Sequence, residues 1–139
     1  MTIVFDTETI RIINLFESVT GAAVRDCIVE DDTVYYIVEE GQIGIAIGKN
    51  GINIKTAERM LGKKIKVFEY RSDVEEFLRR AIPVIKDFQL VNDNDGKRIA
   101  VIRVSKKDRP IVIGRNGRNI KIYKKILERN YKIADLKVK

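Results

Sequence analysis

Two short stretches of the 139-residue chain combine glycine, a basic residue and asparagine in the same order. The first is Gly-Lys-Asn-Gly at residues 48–51, and the second is Gly-Arg-Asn-Gly at residues 114–117. Two glycines around two other residues permit a tight turn in which the backbone can approach a ligand closely. If a helix follows, its first N–H groups lack partners within the helix and attract a phosphate. The pattern therefore predicts two phosphate-binding turns, each with a cation at its tip.

The similarity between the two stretches extends beyond the glycines. Residues 48–55 and 114–121 are identical at six of eight positions. Each follows a short apolar run whose isoleucines can line a groove for bases. Phosphate on one side and an apolar groove on the other are typical of a single-stranded nucleic-acid site. The candidate RNA-binding residues are Ile47, Gly48, Lys49, Asn50, Gly51, Asn53, Lys55, Ile113, Gly114, Arg115, Asn116, Gly117, Arg118, Asn119 and Lys121.

Positive charge is concentrated around these stretches. The formal net charge is +7, but residues 1–48 carry 2 basic and 9 acidic side chains. Residues 49–71 carry 7 basic and 2 acidic side chains, and residues 97–139 carry 15 basic and 3 acidic ones. Such a distribution favours a polyanion as partner. The acidic first third can keep RNA off the opposite face, serve solubility alone, or contact a basic protein partner.

The residues that other functions need are scarce. The chain has no histidine and one cysteine, which removes the commonest zinc ligand, the commonest general base and any intrachain disulfide. Cys27 lies in an apolar segment and is predicted to be a buried hydrophobe. Residues 44–50 resemble a nucleotide-binding P-loop only superficially, because three residues separate the glycines and asparagine follows the lysine. We therefore expect no catalytic residue, no metal and no cofactor.

The hydrophobic residues form short runs. None approaches the roughly 20 residues that cross a bilayer, and the N-terminus lacks the basic start and long apolar segment of a signal peptide. These features predict a soluble cytoplasmic protein without a membrane partner, and we expect a monomer.

The first half of the chain predicts the elements that position the first turn. A helix over residues 6–19 is capped by Asp6 or Thr7 and ended by Gly21. The predicted elements that follow are strands over 22–29 and 33–38, a segment over 41–47 that fits a strand or a short buried helix, a helix over 51–61 and a strand over 65–70.

The second half predicts the same order. Ser72 and Glu75 have the spacing of a capping box, and they begin a helix that Pro83 ends near Ile82. The predicted elements that follow are strands over 84–91 and 98–104, a short segment from Pro110 to Ile113, a helix over 117–130 and a strand over 132–138. The predicted apolar faces are Ile54, Ala57 and Leu61 in the first long helix and Ile120, Tyr123 and Leu127 in the second.

These residues resemble a known RNA-binding family. Ile47 to Gly51 with Ile54 is similar to the Ile-Gly-x-x-Gly-x-x-Ile signature of KH domains, and Ile113 to Gly117 with Ile120 resembles a second copy. The order α-β-β-α-α-β resembles the type II form of that domain. The resemblance implies an α/β (α+β) fold of two tandem type II KH domains, each with a three-stranded sheet, over residues 1–71 and 72–139.

Two abutting type II domains resemble the KH pair of the NusA transcription factors. This resemblance implies single-stranded RNA as the partner and termination or antitermination of transcription as the task. Bacterial members also have a polymerase-binding domain and an OB-type domain, and neither fits in this chain. Its length is similar to that of short archaeal members. Whether it contacts RNA polymerase therefore stays open. The alternatives are RNA binding in ribosome assembly or translation, with ribosomal components as partners, and a pure protein-interaction module.

The resemblance also suggests how the two turns act together. Each turn is expected to hold the backbone phosphates of about four nucleotides. A near-absent linker between the domains makes the second binding event intramolecular, so two modest affinities combine. The second turn lies in the more basic segment and is expected to have the steeper salt dependence.

Overall fold

The computed structural model describes residues 3–139, which divide into two compact units. The first unit ends at Ser72, and the second runs from Asp73 to Lys139. Each unit follows the order α-β-β-α-α-β and contains a three-stranded sheet. The predicted α+β class and the two three-stranded sheets are confirmed.

In the first unit, two helices connect two parallel strands along the chain. Its elements are α1 (Thr7–Thr20), β1 (Val24–Val29), β2 (Thr33–Val38), α2 (Ile43–Ile47), α3 (Ile52–Leu61) and β3 (Lys64–Glu69). Strand β2 pairs antiparallel with β1 and parallel with β3. The parallel pair needs a crossover connection, which α2 and α3 provide. The segment over 41–47 therefore contains a helix, Ile43–Ile47, rather than a strand, but Ala46 is its one buried residue and the predicted burial of this helix is wrong.

The core of the first unit lies between α1, α3 and the sheet. Phe16 of α1 stacks on Tyr36 of β2, with 3.9 Å between ring centroids. The Tyr36 hydroxyl donates a 2.9 Å hydrogen bond to the carbonyl oxygen of Ile12, and burial raises the pKa of Tyr36. Cys27 is buried in the same cluster, as predicted, and so is Ala57. This core fixes the side of α3 that faces away from solvent.

The second unit repeats the topology. Its elements are α4 (Val74–Ala81), β4 (Asp87–Asn92), β5 (Arg98–Arg103), α5 (Arg109–Ile113), α6 (Arg118–Tyr131) and β6 (Asp135–Val138). Strand β5 pairs antiparallel with β4 and parallel with β6. Helix α4 contacts α6 through the rings of Phe77 and Tyr131, whose centroids are 5.3 Å apart. Helices α5 and α6 therefore occupy the same crossover position as α2 and α3.

Three predicted boundaries in the second unit are wrong. Asp73 rather than Ser72 caps α4, because the Asp73 carboxylate accepts a 3.2 Å hydrogen bond from the Glu75 amide. Strand β4 begins at Asp87 rather than Val84, since the chain turns again after α4 and the Ile85 amide donates to the Ile82 carbonyl. Strand β6 begins at Asp135 rather than Lys132, because Lys132 adopts a left-handed conformation that ends α6.

The predicted apolar face of α6 is only partly correct. Leu127 is buried as expected, but Ile120 and Tyr123 are only half-buried. The buried residues of this helix are Ile122, Ile126, Leu127 and Tyr131. Three of these buried residues, Ile122, Ile126 and Tyr131, were not among the predicted ones. Among the described residues, the structure contains no helix both long and apolar enough to span a membrane.

Candidate nucleic-acid interface

The first Gly-x-x-Gly turn (residues 48–51) links α2 to α3 through an unusual backbone. Gly48 has φ 76° and ψ 169°, a combination that is essentially restricted to glycine. Asn50 and Gly51 both follow in the left-handed region, with φ values of 57° and 75°. Asparagine is one of the few residues that enters this region at small cost. The Gly-Lys-Asn-Gly pattern thus matches the backbone position by position.

The second Gly-x-x-Gly turn (residues 114–117) adopts the same conformation. Gly114 has φ 80° and ψ 166°, and Asn116 has φ 58° and ψ 25°, where Asn50 has φ 57° and ψ 25°. Gly117 lies in the left-handed region with φ 73°. The two copies agree within a few degrees, so one sequence pattern produces the same loop twice.

The side chains of Asn53 and Asn119 bond each turn to the helix that precedes it. The side-chain amide of Asn53 donates a 2.7 Å hydrogen bond to the carbonyl oxygen of Ile45, in the helix before the turn. Asn119 makes the equivalent bond to Ile111 at 3.0 Å. A Cβ atom on Gly48 would lie 2.7 Å from Cγ of Asn53, which is too close for a real contact. Each first glycine and the asparagine five residues later therefore fit together as a pair.

The tips of the turns remain open to solvent. Lys49, Asn50, Arg115 and Asn116 are exposed. Lys55 reaches back from α3 and donates a 3.3 Å hydrogen bond from Nζ to the carbonyl oxygen of Asn50. The cationic residues at the tips are thus exposed on a loop whose shape is fixed from within.

The helices that follow the turns begin in a way that suits an anion. Neither α3 nor α6 has a side-chain cap or an acidic residue in its first turn. By contrast, α1 has an Asp6 cap and Glu8 in its first turn, and α4 has an Asp73 cap followed by acidic residues. Carboxylates stabilise a helix N-terminus through the partial positive charge there. The two helices after the turns have no carboxylate of their own at this position.

Apolar side chains flank both turns. Ile45 and Ile47 are exposed beside the first turn, and Ile111 is exposed beside the second with a relative accessibility of 71%. Ile113 is half-buried. Ile52, the first residue of α3, is also exposed. The predicted combination of an apolar surface and a cationic tip thus occurs in each unit.

The start of helix α2 is bound by a residue of strand β3, which is distant in the sequence. The carboxylate of Glu69, at the end of β3, accepts a 2.8 Å hydrogen bond from the Gly41 amide just before α2. The Arg71 guanidinium lies 2.7 Å from the other oxygen of the same carboxylate. Burial alone raises the pKa of Glu69, but the hydrogen bonds from Gly41, Arg71 and Ile43 outweigh it and lower the pKa below its ordinary value. Glu69 therefore replaces a local cap at the start of α2.

The second unit anchors the equivalent helix locally. The Ser105 hydroxyl donates a 2.7 Å hydrogen bond to the Asp108 carboxylate, and the Asp108 amide donates to the Ser105 oxygen. Pro110 lies in the first turn of α5, as predicted. The two turns share one shape, but they are supported by different residues.

The structure brings the candidate residues together within each unit. Residues 47–55 form one continuous surface feature on α2 and α3, and residues 113–121 form the other on α5 and α6. Sequence reasoning missed Glu69 and Ile52. Glu69 offers no local signal, since it lies 28 residues from the amide that it binds. The exposure of Ile52 could have been predicted, because the second copy has a charged residue, Arg118, at the equivalent position.

Comparison with known proteins agrees with this geometry. Residues 10–86 match the KH domain family, which is more than half of the chain and includes the first turn. The chain belongs to the KH domain family.

Archaeal proteins are among the relatives of this chain. A Methanocaldococcus jannaschii protein named "Probable transcription termination protein NusA" is 39% identical over 133 residues, covering 95% of this chain and 73% of that protein. A Halococcus morrhuae protein of the same name is 31% identical over 139 residues, covering 99% of both. The crystal structure of APE1850 is 32% identical, with a TM-score of 0.81 over 97% of this chain and 100% of that one.

Proposed function

We propose that this chain is a single-stranded RNA-binding protein and a NusA-like factor in transcription termination or antitermination. The observation that carries the proposal is the doubled Gly-x-x-Gly turn, with one backbone conformation in both copies, in a chain of the KH family. The name shared by its archaeal relatives supports the transcriptional role.

In this proposal each unit is a type II KH domain, with domains over residues 1–71 and 72–139. The second unit supports this assignment through its matching element order, strand pairing and turn. Each turn holds the phosphates of about four nucleotides against the start of α3 or α6. The bases then lie on the apolar side, against Ile45 and Ile47 in the first domain and Ile111 and Ile113 in the second.

The RNA-binding residues act by different means in this mechanism. Gly48, Gly51, Gly114 and Gly117 allow close approach of the backbone. Lys49, Arg115, Arg118, Lys55 and Lys121 supply positive charge, and Asn50 and Asn116 supply hydrogen-bond donors at the exposed tips. Asn53 and Asn119 keep the turns in shape while bonded to the preceding helix. The protein needs no catalytic group for this task.

The experiment that tests the cellular role is crosslinking of the protein to RNA in its host, followed by sequencing of the bound transcripts. We expect nascent messenger and stable RNA precursors, enriched near the ends of transcription units. Recovery of mature ribosomal RNA alone would contradict the transcriptional role and favour ribosome assembly or translation. Copurification with RNA polymerase, tested with and without ribonuclease, would separate a direct polymerase contact from one through RNA.

A further inference from the structure

A row of cations continues from the second turn along α6. The side chains of Arg118, Lys121 and Lys125, which we call the α6 ridge, are all exposed. They are spaced at i, i+3 and i+7, which places them on one face of the helix. At 1.5 Å rise per residue, the ridge extends roughly 10 Å beyond the turn.

The three cations of the α6 ridge have the same sign of charge and lie at spacings where like charges repel. Helix α4 in the same unit pairs opposite charges at i, i+4, with Glu75 to Arg79 at 2.8 Å and Glu76 to Arg80 at 3.6 Å. On α6 the equivalent spacing joins Lys121 to Lys125, two like charges that weaken a helix by about 0.2–0.5 kcal/mol. Arg118 and Lys121 also lie near the N-terminal end, where the helix dipole disfavours cations.

The first unit repeats this feature at only two of the three positions. The positions equivalent to the ridge are Ile52, Lys55 and Arg59. Lys55 and Arg59 are exposed cations, but Ile52, directly after the turn, is apolar. The complete ridge of three cations therefore occurs in the second unit, which also carries the larger share of basic residues in the chain.

We infer that the α6 ridge binds the sugar–phosphate backbone of the RNA segment that leaves the second turn. This inference rests on the proposed RNA-binding function. The ridge adds phosphate contacts outside the bases held beside the turn, so it contributes affinity without reading sequence. The RNA strand runs along α6 away from the N-terminus of this helix, past Lys121 to Lys125.

The inference is tested by Lys125→Ala, with Lys137→Ala as the matched control. Lys137 is another exposed lysine of the second unit, in β6 rather than on the α6 ridge. Binding of a randomised 20-nucleotide RNA pool to the full chain is measured from 50 to 300 mM salt. Loss of one phosphate contact lowers the slope of log K against log salt by about 0.7, and the affinity at 0.1 M salt by about fivefold. Lys137→Ala should change the affinity less than twofold.

A second variant separates the ridge from helix stability. Lys121→Glu puts a carboxylate four residues before Lys125, the orientation that stabilises a helix. We expect its melting temperature to stay the same or rise while its RNA affinity falls about tenfold or more.

The outcomes distinguish the ridge from the turns. One outcome is that Asp-Asp replacement at residues 115–116 abolishes binding while Lys125→Ala and Lys121→Glu leave the affinity and the salt slope unchanged. In that case the inferred RNA contact of the ridge is wrong, and the proposed RNA-binding function stands. That result would leave α6 as a surface for an acidic protein segment. If the unaltered chain binds no RNA at any salt concentration, both proposals fall together.

Discussion

The side-chain amide of Asn53 donates a 2.7 Å hydrogen bond to the carbonyl oxygen of Ile45 and so ties α3 to α2 beneath the first turn. The carbonyl groups at a helix C-terminus lack partners within the helix, and the asparagine supplies one. Asn119 does the same for Ile111 in the second unit. The repeated asparagine therefore has a structural reason that is independent of any RNA contact.

Asn53→Asp should destabilise the first unit. The substitution keeps the shape of the side chain, removes the N–H donor and places a carboxylate against the Ile45 carbonyl oxygen. We expect a loss of about 1–2 kcal/mol in the free energy of unfolding, measured by urea denaturation. Asn50→Asp is the matched control, since that side chain lies at the exposed tip, and its effect should stay within about 0.5 kcal/mol. Equal effects of the two variants would argue against the proposed bond.

Gly48→Ala should cost more than the same change at another glycine with positive φ. Gly62, at the end of α3, has φ 70° with no atom within 4 Å of a built Cβ, so Gly62→Ala should cost about 1–2 kcal/mol. Gly48 combines a glycine-only backbone with a Cβ position 2.7 Å from Asn53, and we expect about 3 kcal/mol or more. Thermal and urea unfolding give the comparison. A smaller loss at Gly48 would mean that Asn53 can move aside freely.

Glu69 makes the stability of the first unit dependent on acid pH. Its pKa is lowered in the folded state, so its contribution is complete above the ordinary value of about 4.5 and is lost as pH falls through the folded-state pKa. The unfolding free energy should therefore decline below pH 4.5, and Glu69→Gln should remove part of that decline.

Glu69→Gln should also lower stability at neutral pH by about 1–3 kcal/mol, because the carboxylate accepts charge-assisted hydrogen bonds in a buried position. The control is Glu39→Gln. Glu39 pairs with Arg25 at 3.4 Å on a partly exposed surface, where such a pair contributes about 0–1 kcal/mol. If both variants have the same pH profile, Glu69 is not the titrating group.

Salt dependence should differ between the two turns. Replacing Arg115 and Asn116 by Asp-Asp should lower the slope of log K against log salt more than the same change at Lys49 and Asn50, because residues 97–139 carry 15 basic and only 3 acidic side chains. Fluorescence anisotropy with one RNA pool from 50 to 300 mM salt measures both slopes. Identical slopes would mean that the two turns make equal electrostatic contributions to RNA binding, which would contradict the prediction.

The sequence predicts the turns well because their determinants are local. Glycine at two positions and asparagine between them fit the observed φ values, and helix ends at Gly21 and Gly62 follow from the same rule. The doubled pattern also predicts the repeated element order. These are properties that a few adjacent residues determine by themselves.

Features set by distant residues could not be predicted in the same way. Residues 41–47 fit two structures from periodicity alone, and the Glu69 bond to Gly41 that holds them as a helix start spans 28 residues. The expected cap at Ser72 failed because Asp73, its neighbour, is an equally good acceptor. Asn53 was predicted to contact RNA, and no sequence signal indicated its bond to Ile45.

Both Gly-x-x-Gly turns are expected to bind RNA. The most direct test titrates a labelled 20-nucleotide RNA pool with the full chain and with a variant that carries Asp-Asp at residues 49–50 and 115–116, while circular dichroism checks the fold. These four positions are exposed, so the variant should keep its spectrum and lose at least a hundredfold in affinity. An affinity unchanged within twofold, with the spectrum intact, would contradict the account.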